Sequence, residues 1–483
     1  MAKLLDISAG FRHARVLVVG DVMLDRFVYA RVSRISPEAL VPVLLIGREA
    51  TSLGGAGNVA RNIASLGGRV TLIGGRGEDD AGEHIGELLA REAAIEDALV
   101  VLEDAHTTEK IRYIADQQQV MRADREAPWP DPVNAMALAA AREAIAHHDV
   151  LVISDYAKGF LPPALVQDLI ALAKTHGKPV IVDPKGAEFA RYDGATVITP
   201  NRSETGLATG MDTGSDAAVA AAAQNLLTRL PGLGAVLVTR GPGGLSLAER
   251  GAEIVHIPSR AREVFDVSGA GDTVVAALAL SLAAKSDLQN AVRLANIAAG
   301  IAVTMVGTAA VTAGEIAAEL QVRQMESVEQ KIVSLEPALE RLALWRAEGH
   351  KIGFTNGCFD LVHPGHISLL TQARAHCDRL VVGLNRDASV RRLKGDGRPV
   401  QDEMARAIVL ASLAAVDLVV MFGEDTPDNL IRQIRPDILV KGADYKRENI
   451  VGADFVVSYG GEVMLVDLVP DRSTSDLIGR ARQ

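Results

Sequence analysis

Two groups of residues in this 483-residue chain have types and spacings that could do chemistry. The first is Asp266-Val-Ser-Gly-Ala-Gly-Asp272-Thr273, which runs into the apolar stretch Val274–Ala284. Gly269, Ala270 and Gly271 allow a close turn whose successive N–H groups point into one concavity at a helix start, a nest for anions. Asp272 would face the same concavity, where a carboxylate suits taking a proton from a hydroxyl that attacks a phosphoryl group. On this turn alone, a plain helix cap reads Asp272 equally well. The second group is Thr355-Asn-Gly357-Cys-Phe359-Asp360-Leu-Val-His363-Pro-Gly365-His366. His363 and His366 are three apart at a helix start, so they face one way. Gly365 leaves room for phosphates, and two imidazole donors there can stabilise charge developing on an α-phosphate as pyrophosphate leaves. The competing readings are a zinc pair, for which Cys358 is a weak further ligand, and ordinary surface histidines.

Other short segments have the same flavour. Gly54-Gly55-Ala-Gly-Asn58 opens a helix and offers an amide to a polyol. Asn201 and Glu204, one helical turn apart after a strand, suit phosphate and water-mediated Mg²⁺ contacts. Thr239 and Gly241 end another strand, where α/β folds bind ligands.

These residues need a scaffold. Arg15–Gly20, Val150–Ser154, Pro179–Asp183, 196–199 and Ala235–Thr239 are short apolar runs between helix-period segments, the pattern of a mostly parallel sheet buried on both faces. Residues 27–46 and 100–121 are more polar and alternate, which predicts a small, half-exposed antiparallel sheet inserted into that domain. A charge-dense helical stretch follows, and the strand rhythm restarts at Lys351–Thr355, Arg379–Leu384, Leu418–Phe422, Ile438–Lys441 and Glu462–Leu465. The expected organisation is a domain over 1–325, a helical connector over 326–348 and a second α/β domain over 349–483.

With these segments in view, residues 1–320 resemble the ribokinase (PfkB-type) carbohydrate kinases. The early glycine signature matches Gly54, Gly55 and Asn58, and the late one matches Asp266 through Asp272. The resemblance implies a ribokinase-like fold with a β lid that often forms the dimer contact. It further implies that Asp272 is the catalytic base, that Gly269–Asp272 is the anion hole, and that Asn201 and Glu204 serve phosphate and Mg²⁺. Asp21, Asp25 and Asn58 would bind sugar, although two acids in Gly20-Asp21-Val-Met-Leu-Asp25 leave open which holds which hydroxyl. No G-x-x-x-x-G-K-[ST] loop is present, so the phosphates fall to the glycine turn and scattered cations. Residues 345–483 resemble the cytidylyltransferase-like nucleotidyltransferases with an HxGH motif, a Rossmann-like fold. The family's other landmarks follow in order: Gly383-Leu-Asn385-Arg-Asp387 ends the next strand, Lys394, Arg398 and Arg406 supply cations, Lys441-Gly442-Ala-Asp444-Tyr445 follows a later strand, and Ser473-Thr474-Ser475 would begin the last helix as a phosphate-binding cap. That likeness implies that His363 and His366 stabilise the transition state, with Lys394 and the Ser473–Ser475 helix start on the triphosphate. The two in this order resemble the bifunctional heptose enzymes of lipopolysaccharide-core precursor synthesis. The implied kinase makes D-glycero-β-D-manno-heptose 1,7-bisphosphate from the 7-phosphate with ATP. The implied transferase joins the 1-phosphate to ATP, giving ADP-heptose and pyrophosphate, with a separate phosphatase between. The motif classes leave another sugar kinase fused to a CTP-using transferase open, and a catalytically dead, ligand-sensing scaffold would lack Asp272 or a histidine.

Composition narrows the partners. The net charge of −11 gives no basic footprint for nucleic acid. Cys358 and Cys377 are too few for a disulfide framework and fit a reducing compartment. The start MAKLLDISAG has no signal-like apolar region, and Val274–Ala284 is too short to span a bilayer. The expectation is a cytoplasmic enzyme with small-molecule substrates, working as a homo-oligomer.

Overall fold

The computed structural model describes residues 2–115, 118–259, 269–305, 310–443 and 446–466. The chain forms two compact units, Met1–Leu320 and Gln321–Gln483. Asp266–Ser268, Asp444, Tyr445 and Ser473–Ser475 lie outside the described residues.

The first unit is built on a nine-stranded sheet. Arg15–Gly20 is third from one edge, flanked by Val150–Ser154 and Arg69–Ile73, with Val180–Asp183, Val197–Ile198 and Ala235–Thr239 continuing in parallel on one side. Ile95–Asp97 closes the other edge in parallel, while Leu245–Glu249 and Val255–Ile257 turn back antiparallel. The continuous apolar runs reflect burial on both faces: Val16 and Val18 point into one core, Leu17 and Val19 into the other. Residues 274–280 of the Ala-rich helix Ala270–Ala283 are all buried in the first of these cores, which is why that stretch is apolar all round.

The inserted sheet has four strands in the order Pro42–Gly55, Val22–Ile35, Glu109–Ala115, Gln118–Arg125. It departs from the expected all-antiparallel form at one junction, where Val22–Ile35 pairs in parallel with Glu109–Ala115. Those two strands are separated by the edge of the main sheet, so the chain returns in the same direction. Val100–Leu102 is not part of this lid but pairs with Gly75–Gly77.

In the second unit the strand order is Ile332–Val333, Leu418–Phe422, Arg379–Asn385, Ile352–Gly357, Ile438–Gly442, Glu462–Val466, all parallel. The order reverses at Ile352–Gly357, and such a switch point places a crevice at the carboxyl end of that strand. The stretch 326–348, expected as a connector, is helical at Leu335–Ala347 but also contributes the edge strand Ile332–Val333. Ala338 and Leu342, four apart on one helical face, are buried in this unit's core, while charges on the other face mask the pattern. Among the described residues, no helix is long and apolar enough to cross a membrane.

Candidate active sites

At the carboxyl end of the first sheet the glycine turn and the lid hairpin meet. Gly269 caps Ala270–Ala283 with φ +79°, a left-handed backbone suited to glycine. A Cβ there would lie 3.2 Å from Asn58 Nδ2. The first N–H groups of any helix, here from Ala270 and Gly271 onward, lack intrahelical partners and can hold an anion. Asp272 is buried. Its Oδ2 accepts from Asn58 Nδ2 at 2.5 Å and its Oδ1 from the Tyr156 hydroxyl at 2.6 Å. Burial raises its pKa above the ordinary 3.8, and the two donors work in the opposite direction. The result is a fixed carboxylate with a lone pair left on each oxygen, so the chemistry available to it is proton abstraction. Asn58 is held in turn, because its carbonyl accepts from Asn62 Nδ2 at 2.8 Å and Asn62 Oδ1 accepts from Thr273 Oγ1 at 2.9 Å. Among the described residues, Asn58 Oδ1 is buried without a hydrogen-bond donor and so can receive a hydroxyl.

The two early acids have different surroundings. Asp21 is buried and accepts backbone N–H groups of Tyr156 at 2.8 Å, Lys158 at 3.1 Å and Phe160 at 3.2 Å. This occupies its carboxylate and makes it the organiser of the loop after Val150–Ser154, a role that departs from the sugar contact expected of it. Asp25 bonds Arg112 Nη1 at 2.6 Å on the lid, facing the site. Gly54 and Gly55 are glycines for steric reasons. A Cβ on Gly54 would come 2.6 Å from Asp25 Oδ2, and one on Gly55, at φ +58°, would lie 2.3 Å from the Asp21 carbonyl.

Asn201 and Glu204 form a capping box: Glu204 N–H donates to Asn201 Oδ1 at 2.8 Å, and Asn201 N–H donates to Glu204 Oε2 at 2.9 Å. The three-residue spacing is therefore already explained by local structure. Glu204 also accepts from Lys185 Nζ at 2.5 Å. Nearby, Asp183 has its pKa raised well above 3.8 by desolvation and by the charges of Asp272 and Glu204, against a hydrogen bond from Thr199 Oγ1 at 3.1 Å. Among the described residues no group of three or more His, Cys, Asp or Glu side chains is arranged to hold a metal ion directly. Mutually repelling carboxylates at the end of the sheet do fit a divalent cation held through its water. Thr239, bridged to Asn201, and Gly241, at φ +58° with open space around it, lie at the carboxyl end of the neighbouring strand.

In the second unit, Ile352–Gly357 runs through Cys358–Val362 into the helix Pro364–Ala375, which His363 caps. His363 Nδ1 accepts the Gly365 N–H at 3.2 Å, which leaves the proton on Nε2 as the donor. The His363 and His366 rings stack at 3.9 Å between centroids and 29°. Burial and then His363 lower the His366 pKa from 6.5 to about 4, so at neutral pH this ring is an uncharged donor. Phe359 lies 5.0 Å from the His366 ring and is held at φ +43°, unusual for a bulky residue. Its ring covers Gly357, where a Cβ would meet it at 3.1 Å.

The expected cations separate into distinct roles. Buried Asp360 pairs with Arg398 and accepts the Val400 N–H at 2.6 Å, so Arg398 is tied to the loop rather than presented as a free charge. Arg406 is fully buried and bonds the Cys358 carbonyl at 2.5 Å and Asp387 at 2.7 Å, bracing the same loop. Lys394 is exposed at the end of Asp387–Lys394, close enough to influence Cys358. Lys441 Nζ donates to the Asn356 carbonyl at 3.1 Å, beside the histidine loop. Tyr156, Asp183 and Lys185 escaped the motif reading. Only their positions at or just after the ends of the strands Val150–Ser154 and Val180–Asp183 point to them, since ligands bind at such ends.

Residues 13–313 match the pfkB family carbohydrate kinases, and residues 354–469 match the cytidylyltransferase-like family. The chain is 55% identical over 478 residues to the bifunctional protein HldE of Caulobacter sp. (strain K31), covering 99% of this chain and 98% of that one. It is 53% identical to the bifunctional protein HldE of Rhodospirillum rubrum, covering 99% and 96%. Among solved structures, phosphofructokinase-2 from Escherichia coli in complex with potassium aligns with 64% of this chain and 99% of its own, at TM-score 0.54 and 24% identity. Ribokinase of Arabidopsis thaliana complexed with ribose and ATP covers 64% of this chain and 98% of its own, at TM-score 0.52 and 21% identity. At that identity the two structures establish the fold of the first unit.

Proposed function

Because the chain belongs to the bifunctional HldE family, a pfkB-type carbohydrate kinase followed by a cytidylyltransferase-like domain, we propose two reactions for it. The first unit phosphorylates D-glycero-β-D-manno-heptose 7-phosphate at C1 with ATP. The second transfers the adenylyl group of ATP to D-glycero-β-D-manno-heptose 1-phosphate, giving ADP-heptose and pyrophosphate for lipopolysaccharide-core precursors. A separate phosphatase removes the 7-phosphate between the steps. The observation that carries the kinase reading is Asp272, a buried carboxylate fixed by Asn58 and Tyr156 beside the glycine turn.

In the kinase step Asp272 takes the proton of the C1 hydroxyl as its oxygen bonds to the γ-phosphorus, and the bond to the β-phosphate oxygen breaks to release ADP. The N–H groups from Gly269 to Asp272 receive the charge on the transferred group. Asn58 and Asp25 orient the sugar, Thr239 and Gly241 flank the nucleotide, and Asp21 acts by fixing the Tyr156 loop. Mg²⁺ bound to ATP neutralises the triphosphate; Asp183 and Glu204 would hold it through water, with Asn201 keeping Glu204 in place.

In the transferase, a phosphate oxygen of the sugar 1-phosphate attacks the α-phosphorus directly and pyrophosphate leaves, so no protein nucleophile is required. His363 and His366 donate to the α-phosphate as its charge rises. Lys394, Lys441 and the Ser473–Ser475 segment serve the triphosphate, while Arg398 and Arg406 hold the loop. The kinase unit is assigned to 1–325 and the transferase to 349–483 with the preceding segment as its support. The enzyme is placed in the cytoplasm. Its lid exposes Leu40, Val41, Leu45 and Ile46, an apolar set suited to a second copy of the chain. The test is mass spectrometry of products from a panel of sugar phosphates with ATP or CTP and Mg²⁺, repeated in excess EDTA. Heptose 1,7-bisphosphate and ADP-heptose as the favoured products support the reading, and a preference for CTP or for another sugar phosphate overturns it.

A further inference from the structure

The lid carries a group of charges that phosphoryl transfer itself does not use. Asp25 pairs across the sheet with Lys110 and Lys110 with Asp124, while Phe27 pairs with Arg112 and Arg112 with Arg122. Residues directly opposite one another share a face, and alternate residues along a strand share it too, so all six lie on one side of the lid. That side faces the catalytic carboxylate: Lys110 Nζ lies 5.4 Å from the centre of the Tyr156 ring, whose hydroxyl is 2.6 Å from Asp272.

Most of the charges there are matched. Arg112 bonds Asp25 at 2.6 Å, Arg122 bonds Asp124 at 2.9 Å, and Lys158 pairs with Glu126. Lys110 is the exception: it is half-buried, and among the described residues it has no ion pair or hydrogen bond, only the face of Tyr156. Burial depresses its pKa and Lys158 and Arg112 add to the depression, while Asp25 and Asp124 oppose it. Asp25 and Asp124 are themselves bonded to Arg112 and Arg122, so a further anion that joins Lys110, Arg112 and Lys158 is favoured there. We propose that Lys110, flanked by Arg112 and Lys158, receives the phosphate group that the sugar substrate already carries, so that the lid selects sugar phosphates over free sugars. This rests on the reading that the first unit acts on a heptose 7-phosphate. The Tyr156 hydroxyl then marks the C1 end of the substrate beside Asp272, and Lys110 lies over the face of the same ring, on the lid side of the site. A phosphate dianion can accept from the lysine ammonium and from the guanidinium N–H groups of Arg112 that Asp25 leaves over.

The experiment is steady-state kinase kinetics of the full chain with heptose 7-phosphate and with the unphosphorylated heptose. The enzymes are wild type, Lys110→Met, Lys110→Arg and Lys158→Met, with ATP affinity measured alongside to verify an intact kinase site. Losing a charge-assisted contact to phosphate should raise the KM for heptose 7-phosphate roughly tenfold to a hundredfold in Lys110→Met, and less in Lys158→Met. The KM for ATP should stay level, Lys110→Arg should recover most of the loss, and the preference for the phosphorylated sugar should shrink. A sugar-phosphate KM within twofold of wild type in both Met variants overturns the proposal. So does a fall in kcat at unchanged sugar KM, which would place Lys110 on the transferred phosphoryl group instead. A wild-type enzyme that ignores heptose 7-phosphate altogether refutes the underlying kinase reading, a result distinct from either.

Discussion

Asp272 and Tyr156 show how one side chain can set the working range of another. As the proposed base, Asp272 would act only when ionised, so kinase kcat/KM should fall as pH drops through its pKa. Burial raises that pKa, while the Tyr156 and Asn58 donors favour the carboxylate and lower it. Removing the Tyr156 hydroxyl must therefore raise it further. Tyr156→Phe should shift the acid limb of the kinase pH–rate profile to higher pH and leave the transferase profile unchanged. An acid limb that stays put or moves to lower pH contradicts the role given to this hydrogen bond. Asp272, His363 and His366 could be picked out from residue type and spacing, because glycine turns and paired imidazoles are local features. Tyr156 and Lys110 could not, since they reach Asp272 from about a hundred and more residues away, and only tertiary packing brings them together.

At the level of elements, the strands were legible because burial on both faces writes a continuous apolar run into the sequence. Val150–Ser154, Ala235–Thr239 and Leu418–Phe422 have the expected limits, and others differ by a residue or two at their ends. Two things were hidden. The parallel junction in the lid depends on the path between strands, which alternation does not encode. The division of labour between Asp21 and Asp25 was hidden as well, because acids four apart in an extended chain point the same way until the backbone crosses from one sheet to another. Asp21 begins that crossing and holds the loop carrying Tyr156 through backbone N–H groups. Asp21→Ala should lower kinase kcat and also destabilise the first unit. Each buried N–H left without a partner costs roughly 1–3 kcal/mol, reduced where water can reach it. Thermal melting and kinase assays of the full chain test this. A variant with lower sugar affinity but undiminished stability would return Asp21 to the sugar.

Over the whole molecule, two separately cored sheets imply two enzymes that need not share structure. The first unit closes its core around Ala270–Ala283 with Leu320 as one of its buried residues, and the second begins its own with Ile332–Val333 and Leu335–Ala347. A fragment of residues 1–325 should fold and phosphorylate heptose 7-phosphate at close to the full-chain rate. A soluble fragment without activity would show that the second unit completes the first site. The charge-dense segment around 326–348 disguised its place in the second core, because most of its surface is solvated and only one narrow face is apolar.

The central claim is that Asp272 and the His363–His366 pair serve separate reactions in separate units. The most direct measurement assays both reactions, from heptose 7-phosphate and from heptose 1-phosphate, on full-length Asp272→Asn, His363→Ala and His366→Ala. Loss of a general base costs about a hundredfold to ten-thousandfold, and loss of one preorganised donor about a hundredfold to a thousandfold. The account predicts a crossed result: Asp272→Asn loses the kinase and keeps adenylyl transfer, while each histidine variant loses adenylyl transfer and keeps the kinase. Any of these variants staying within threefold of wild type in its own reaction, or any one of them losing both, would contradict it.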